Sequence, residues 1–268
     1  MKIALIGYGK MGRIIESRLL DKEHEVLAVV DPFYAMMGRG RPLPSDAEVY
    51  ATLEDALKGD KGNSLKDVDA AIEFTLPGNA PGNILFLARE KIPVVSGTTG
   101  WFAKLGEIEK AVNSAGSSLI WSSNFSLGIN LFYQIAAYAA KLMDQFAEYD
   151  VAGVETHHNK KADCPSGTAK TLVEHILAQM TRKKKAVFGN LEKEPEEDEL
   201  HFASLRLGSV TGVHSLFFDS NSDTIEISHS ARNREGFAAG AVMAAEWLVA
   251  KKRTGVFTVD DVLKEFLK

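Results

Sequence analysis

The segment after the first predicted strand constrains this chain more than any other. It reads Gly7-Tyr8-Gly9-Lys10-Met11-Gly12 and joins the apolar run 2–6 to a helical pattern over 11–20. In such a G-x-G-x-x-G turn the first glycine permits a tight bend, the second lets a pyrophosphate approach the backbone, and the third lets helix and strand pack closely. The helix N-terminus also offers N–H groups to an anion. The pattern predicts a dinucleotide-binding unit, and a glycine turn without a ligand is the alternative.

Asp31 ends the second predicted strand, 19 residues after Gly12. A carboxylate at that position accepts hydrogen bonds from ribose hydroxyls. It also disfavours the 2′-phosphate of NADPH, which usually has an arginine beside it. The nearest arginines, Arg39 and Arg41, follow in a predicted loop. We therefore expect NADH to be the preferred cofactor, with NADPH possible.

Short β-rich runs alternate with helical patterns through the first half of the chain. The predicted strands are 2–6, 26–30, 70–74, 94–95 and 119–121, and the predicted helices are 11–20, 53–58, 79–91 and 102–114. This alternation is typical of a parallel sheet with helices on both faces, so we predict a Rossmann-type doubly wound α/β domain. Two loops at strand ends, 97–100 and 122–125, are candidate ligand contacts because open α/β sheets bind ligands there. Ordinary turn chemistry is the alternative for both.

The pattern changes near residue 124. We predict a long helix over 127–146, a strand over 150–155, a helix over 168–180, strands over 202–207, 212–218 and 224–229, and a helix over 236–251 with a short tail. Strands that follow helices in this way indicate a second, α+β domain with a mixed, largely antiparallel sheet. The charged stretch 182–199 is expected to be a solvated loop, with a partner contact as the alternative.

Reactive side chains concentrate between the predicted strand 150–155 and the helix that follows. The segment reads Glu155-Thr156-His157-His158-Asn159-Lys160-Lys161-Ala162-Asp163-Cys164-Pro165-Ser166-Gly167-Thr168. Histidines titrate near neutral pH and suit proton donation, and lysines attract an acidic substrate. N–H groups at the start of a helix can hold a carboxylate. A polar surface loop with a helix cap is the alternative, and no metal is expected because two adjacent histidines lack an evident third ligand.

The rest of the composition narrows the function classes. A formal net charge of -5 argues against a dedicated nucleic-acid binder. The uncharged stretch 111–140 is interrupted by polar residues, so no membrane span is expected. Cys164 is the only cysteine, which excludes an intramolecular disulfide and indicates a reducing, cytoplasmic setting. A catalytic thiol is a weaker hypothesis because neighbouring lysines compete for that role. His214, His229, Arg232 and Arg234 are further candidates for a substrate site, with packing or surface ion pairs as the alternative.

The segment 157–169 resembles the H-H-x-x-K-x-D-x-P-S-G-T-A signature of the dihydrodipicolinate reductase family. The resemblance extends over essentially the whole chain, including 7–12, 73–75, 97–100, 124–126 and 229–234. It implies nicotinamide-dependent reduction of a cyclic imine dicarboxylate to tetrahydrodipicolinate, in the diaminopimelate route to lysine. It also implies a homotetramer assembled through the sheet of the second domain.

The resemblance assigns roles to individual residues. His157 becomes the proton donor and Lys161 the catalytic lysine. The implied substrate contacts are His158, Gly167, Thr168 and, more weakly, Arg234. The implied cofactor contacts are Gly7, Tyr8, Gly9, Lys10, Met11, Gly12, Asp31, Gly97, Thr98, Thr99, Ser122, Ser123, Asn124 and Phe125. Residues 1–125, completed by 236–268, are expected to form the dinucleotide-binding domain, and 126–235 the substrate-binding and oligomerisation domain.

The chain departs from the family pattern in three places, and two other functions remain as alternatives. Cys164 stands where the family often has alanine, Val213 stands where it often has glutamate, and the first loop is shorter than in many members, which leaves the cofactor preference open. One rival is another two-domain NAD(P) dehydrogenase acting on an amino-acid semialdehyde or a sugar, which would need a catalytic cysteine or a different Lys/Asp arrangement. The other is a non-catalytic dinucleotide-binding regulator, which would not need Lys161.

Overall fold

The computed structural model describes residues 1–36, 43–59 and 63–266. Arg39 and Arg41, the arginines nearest to Asp31 in the sequence, lie outside these ranges. The chain divides into two compact units. The first comprises Met1–Leu127 and Arg234–Lys268, and the second comprises Gly128–Asn233. Among the helices of the described ranges, none has both the length and the apolar character needed to cross a membrane.

The elements are numbered along the chain. Up to residue 121 they are β1 (Lys2–Ile6), α1 (Lys10–Asp21), β2 (Glu25–Val30), α2 (Pro32–Met36), β3 (Glu48–Tyr50), α3 (Leu53–Lys58), β4 (Ala70–Glu73), α4 (Ala80–Arg89), β5 (Val94–Ser96), α5 (Leu105–Ala115) and β6 (Ser118–Trp121). Next come α6 (Leu127–Met143), β7 (Asp150–His157), α7 (Gly167–Leu177), β8 (Lys185–Phe188), β9 (Glu199–Arg206), β10 (Val213–Asp219) and β11 (Thr224–Ser230). The last are α8 (Glu235–Ala250), β12 (Gly255–Thr258) and α9 (Val259–Phe266).

The sheet of the first unit is parallel throughout, with the order β3-β2-β1-β4-β5-β6-β12. The first six strands have the Rossmann order 3-2-1-4-5-6, in which the chain reverses its direction of winding between β1 and β4. The predicted doubly wound α/β domain is therefore confirmed. The carboxyl ends of β1 and β4 flank the point where ligands bind in such sheets.

Both faces of this sheet are buried, which explains why its strands are apolar runs rather than alternating patterns. Ile3 and Leu5 of β1 belong to one core, together with residues of α1, α8 and α9. Ala4 and Ile6 belong to the opposite core, together with residues of α4 and α5. Successive residues of β1 thus pack on opposite faces, and the strand is held in place from both sides.

This sheet has more strands than predicted. Five strands were predicted, whereas the described residues contain seven, and the short tail predicted after residue 251 is wrong. That segment forms β12 and α9, and β12 pairs in parallel with β6, with Gly255 opposite Ser118. The strand Glu48–Tyr50 was also missed, because three residues are too few to show a period.

The second unit has a mixed sheet with the order β11-β10-β7-β9-β8. β10 is antiparallel to β7 and β11, whereas β9 is parallel to β7 and β8. The predicted mixed sheet is therefore confirmed, but two of its four described strand pairings are parallel, so the sheet is not largely antiparallel. The solvated loop predicted over 182–199 is also wrong in part, because it contains β8. One face of the sheet packs against α6 and α7 in a single core.

Candidate functional site

The three glycines of the loop between β1 and α1 meet different surroundings. Gly7 has a positive φ of 90°, and a Cβ there would lie 2.3 Å from the carbonyl oxygen of Phe74. A Cβ on Gly12 would lie 2.4 Å from the carbonyl oxygen of Gly7. A Cβ on Gly9, in contrast, would have no protein atom within 4 Å. Packing thus requires Gly7 and Gly12, whereas Gly9 leaves space open in front of the loop.

The N-terminus of α1 faces the same loop. Gly9 is its N-cap, the first turn contains no acidic residue, and within the described ranges no side chain caps it. The first N–H groups of a helix lack partners within the helix, so these groups can donate to an anion. Lys10, the first helical residue, is exposed. Open space at Gly9 and an uncapped helix start fit a pyrophosphate group.

Asp31 connects this loop to the end of β2. Its carboxylate accepts hydrogen bonds from the backbone N–H of Tyr8 at 2.7 Å and of Tyr34 at 2.9 Å. The Tyr8 ring is buried against Tyr34, and its hydroxyl donates to Glu16. The Arg13 guanidinium lies 5.5 Å from the centre of the Tyr8 ring and 5.9 Å from that of Tyr34. Tyr8 thus packs within the protein, and Asp31 sets a negative charge beside the loop, with Arg13 as the nearby cation.

A cavity of about 460 Å³ lies beside the reversal point of the first sheet. Its walls come from the ends of β1 and β2 and from the starts of α3 and α4, and they include Ile6, Val30, Thr52, Thr75, Asn79 and Phe86. This volume is in the usual range for small-molecule sites. The cavity provides a mostly uncharged space next to the glycine loop.

The loop 97–100 follows β5 and packs against the end of β4. A Cβ on Gly97 would lie 2.1 Å from the Phe74 ring, so a side chain there would require that ring to move. The Thr98 hydroxyl is buried and donates to the Glu73 carboxylate at 3.0 Å, while Thr99 is exposed. Of the three predicted contacts, Thr99 therefore presents its side chain to solvent, and the other two shape the loop.

The loop after β6 is held together by its own polar groups. The Ser122 hydroxyl donates to the carbonyl oxygen of Asn124 at 2.8 Å and accepts from its N–H at 3.0 Å. The Asn124 side chain accepts from the N–H of Ser126 at 2.9 Å. Ser123 is exposed, whereas the Phe125 ring is buried in the core. Phe125 can therefore reach a ligand only through its backbone.

A second polar cluster lies in the second unit, at the carboxyl end of β7. Its centre is Glu155, which is fully buried. One carboxylate oxygen accepts from the Ser204 hydroxyl at 2.9 Å, the Ser166 N–H at 3.1 Å and the Arg206 guanidinium at 3.2 Å. The other oxygen lies 3.1 Å from Nδ1 of His157. Glu155 thus fixes a negative charge directly behind His157.

These surroundings shift the pKa values of the cluster. Burial acts to raise the pKa of Glu155, but hydrogen bonds from Ser166 and Ser204 outweigh it and hold that pKa below its ordinary value. Burial lowers the pKa of His157 below 6.5, although Glu155 opposes this, and Lys161 lowers it further. Burial and the neighbouring His157 lower the pKa of His214 to about 4. The histidines are therefore mostly neutral at pH 7.

The segment after β7 holds a carboxylate of its own. Asp163 accepts from Nζ of Lys161 at 2.7 Å and from the N–H of Gly167 at 3.3 Å. The hydrogen bond from Lys161 lowers the pKa of Asp163. Gly167 is the first residue of α7, whose N-cap is Ser166. Lys161 and Gly167 are therefore placed so that one carboxylate can bind both.

The comparisons with known proteins settle the family. Profiles described as the N-terminus and the C-terminus of dihydrodipicolinate reductase match residues 1–125 and 128–263. The chain belongs to the dihydrodipicolinate reductase family. The 4-hydroxy-tetrahydrodipicolinate reductase of Christiangramia forsetii is 39% identical over all of both chains. That of Methanosarcina barkeri is 34% identical over 98% of this chain and 99% of the relative.

Solved structures agree on the fold. The dipicolinate-bound dihydrodipicolinate reductase from Paenisporosarcina sp. TG-14 superposes with a TM-score of 0.76 at 21% identity. The alignment covers 96% of this chain and 97% of that protein. A probable dehydrogenase from Thermotoga maritima gives a TM-score of 0.59 at 10% identity, over 98% of this chain and 92% of the other.

The remaining predicted residues of this reductase lie as follows. His158 is half-buried beside His157, and Thr168 follows Gly167 in the first turn of α7. Met11 is half-buried against the first core. Arg234 is exposed, precedes α8 and belongs to the first unit. Cys164 is exposed.

The supporting role of Glu155 and its partners on β9 was not predicted from the sequence. Glu155 lies two residues before His157, so both side chains are on one face of β7, and this period of two was the available signal. Ser204 and Arg206 lie opposite Glu155 and His157 on β9, which only the strand register reveals.

No metal was expected from the sequence because the adjacent His157 and His158 lack an evident third ligand. The structure instead brings donor atoms of Glu155, His157 and His214 within 4.8 Å of one another. The Arg206 guanidinium already binds the same carboxylate, and its charge opposes a second cation there. The trio is therefore better suited to holding a proton than a metal ion.

The low pKa of His214 predicts an acid-sensitive fold. Between pH 6.5 and about 4 the unfolded chain binds a proton at His214 that the folded chain does not, so stability falls as the pH falls. The loss should approach about 3 kcal/mol of unfolding free energy. Urea unfolding across this range should show a smaller loss in His214→Asn than in wild type, with His175→Asn as the control. Equal losses in wild type and His214→Asn would contradict the prediction.

Proposed function

We propose that this protein reduces 4-hydroxy-tetrahydrodipicolinate to tetrahydrodipicolinate in the diaminopimelate route to lysine. The observation that supports this most strongly is the segment in which Lys161 and Gly167 together bind the Asp163 carboxylate. The substrate is a dianion, and a place already built for a carboxylate suits one of its two acidic groups. A solved relative has dipicolinate, a ring dicarboxylate, bound to it.

The first unit is the dinucleotide-binding unit in this proposal. The open space at Gly9 and the uncapped start of α1 fit a pyrophosphate, and the cavity beside them fits the adenosine part. When bound, NADH or NADPH supplies the hydride. Asp31 places a negative charge near the ribose position and favours NADH, while Arg13 leaves NADPH usable. The loops 97–99 and 122–125 provide the other contacts.

The second unit holds the substrate. Lys161 and the N–H of Gly167 bind one carboxylate in place of Asp163, and Thr168 in the first turn of α7 extends this site. His158 is a further contact. The N-terminus of α7 adds a partial positive charge. Binding of two negative charges raises the pKa of a neighbouring histidine, so the substrate itself helps to protonate His157.

His157 donates the proton that the reaction needs. One hydride and one proton are added to the substrate, and the 4-hydroxyl group leaves as water. Glu155, fixed by Ser204 and Arg206, lies 3.1 Å from Nδ1 of His157 and steadies the protonated ring. Lys161 stabilises negative charge on the substrate while the proton is transferred.

A homotetramer in the cytoplasm completes the proposal. The face of the second sheet opposite its core carries mostly uncharged side chains, including Val154, Leu205, Val213 and Phe217. Leu205 is 56% exposed, which is unusual for a large apolar residue in a strand. Four copies can bury these faces against one another. Light scattering should give a mass of four chains, and a monomer mass would contradict the assembly.

The activity is tested with the condensation product of pyruvate and aspartate semialdehyde, supplied with NADH and NADPH side by side. We expect loss of the near-ultraviolet absorbance of the reduced cofactor with both, and a higher kcat/KM with NADH. Asp31→Ser should narrow that difference because it removes the charge that repels a 2′-phosphate. No oxidation of either cofactor would contradict the function, whereas faster use of NADPH would contradict only the cofactor preference.

A further inference from the structure

Glu73 is a buried acidic residue with no role in the function proposed above. It is the last residue of β4, and its exposed fraction is 0%. One carboxylate oxygen accepts from the N–H of Thr75 at 3.2 Å, from the Thr75 hydroxyl, and from the Thr98 hydroxyl at 3.0 Å. The other accepts from the Ser96 hydroxyl at 2.6 Å. The ends of two neighbouring strands, β4 and β5, therefore converge on this single side chain.

Four donor groups surround the Glu73 carboxylate. Three hydroxyl groups and one backbone N–H donate to its two oxygens. Within residues 1–36, 43–59 and 63–266, no lysine, arginine or histidine lies within ion-pair distance of Glu73. Uncharged hydroxyl and amide groups thus hold the buried carboxylate, and no cationic side chain of those residues pairs with it.

The position of the Glu73 carboxylate in the sheet points to a function near the cofactor. Glu73 pairs with Ile6 of β1 and with Ser96 of β5, so it lies at the carboxyl edge beside the reversal point. Thr98, one hydrogen bond away, is in a loop proposed to contact the cofactor. The same anchoring of Thr98 and Thr75 could be made by an uncharged glutamine, so positioning alone does not require a carboxylate.

We infer that Glu73 shifts the equilibrium of the bound nicotinamide toward its oxidised, cationic form and so favours hydride donation. This inference rests on the proposed function. The dihydronicotinamide ring is neutral and the oxidised ring carries a positive charge, so a fixed negative charge in a poorly screened site stabilises the oxidised ring selectively. Glu73 acts through the field of its charge and through Thr98, and it is a positioning residue rather than a catalytic one.

The test compares the dissociation constants of NAD⁺ and NADH in wild type, Glu73→Gln and Glu73→Asp. In Glu73→Gln we expect the ratio of Kd for NAD⁺ to Kd for NADH to rise about tenfold. For a two-electron couple this corresponds to about 30 mV in the potential of the bound cofactor. Glu73→Asp keeps the charge but shortens the side chain, so both affinities should fall together and the ratio should stay at the wild-type value.

Three outcomes separate the possibilities. A raised ratio in Glu73→Gln with an unchanged ratio in Glu73→Asp supports the inference. Equal weakening of both nucleotides in Glu73→Gln shows a purely structural role and overturns it, although the proposed function stands. A wild type that binds neither nucleotide overturns the proposed function and this inference together. If Glu73→Gln does not fold, Glu73→Met removes the same charge and is subject to the same ratio test.

Discussion

Replacing His157 or Lys161 with alanine is expected to lower kcat by about 10²- to 10⁴-fold, the usual contribution of a positioned acid or a charge-stabilising group. Neither residue is among the proposed cofactor contacts, so the Kd of NADH should stay within about twofold of wild type. Stopped-flow turnover and fluorescence titration with NADH measure the two quantities separately.

Lys160→Ala is the matched control for Lys161→Ala. Lys160 is exposed, and among the described residues it makes no ion pair, whereas Lys161 binds Asp163 at 2.7 Å. The control should keep at least about half of the wild-type kcat, because a solvated lysine contributes little to a neighbouring site. Wild-type rates in both His157→Ala and Lys161→Ala would show that the proposed roles are wrong.

The pH profile separates the two roles further. His157 must be protonated to act, so kcat/KM should fall as the pH rises through its pKa, which lies below 6.5 in the free enzyme. Lys161 is one of the charges that lower this pKa, so Lys161→Ala should move the fall to higher pH. In His157→Ala the fall should disappear from the residual rate. A structural role for either residue would lower the rate without moving the profile.

Local patterns made the first unit predictable. Most residues of each predicted strand of the first sheet are apolar and buried, and Gly7 and Gly12 sit where a side chain would collide with backbone. Both signals are contained in a few consecutive residues. The polar segment 157–168 was also visible, because its reactive residues are neighbours along the chain.

The parts that escaped prediction depend on contacts between distant residues. β12 is a strand because β6 leaves an edge for it to pair with, and nothing in Gly255–Thr258 itself specifies that partner. Glu155 could be seen as acidic, but its contacts with Ser204 and Arg206 depend on the register of β7 and β9. Glu73 likewise meets Ser96 and Thr98 only because β4 and β5 are neighbours.

Gly9→Ala is expected to raise the Kd of NADH by about 100-fold without loss of stability. Its backbone φ of -77° suits any residue, and the added Cβ meets no protein atom within 4 Å. The methyl group instead occupies the space through which a pyrophosphate reaches the N–H groups of α1. Isothermal titration and thermal unfolding of the same preparation measure the affinity and the stability.

Two other glycines make this test decisive. Gly106→Ala adds a methyl group to open space on α5, so it should leave both the Kd of NADH and the melting temperature close to wild type. Gly7→Ala places a Cβ 2.3 Å from the Phe74 carbonyl oxygen at a φ of 90°, so it should destabilise the protein by about 2 kcal/mol or more. Of these three substitutions, only Gly9→Ala should weaken NADH binding without lowering the stability, because its methyl group occupies the proposed ligand space rather than space filled by protein atoms. If Gly9→Ala binds NADH as wild type does, the pyrophosphate is not held by this loop.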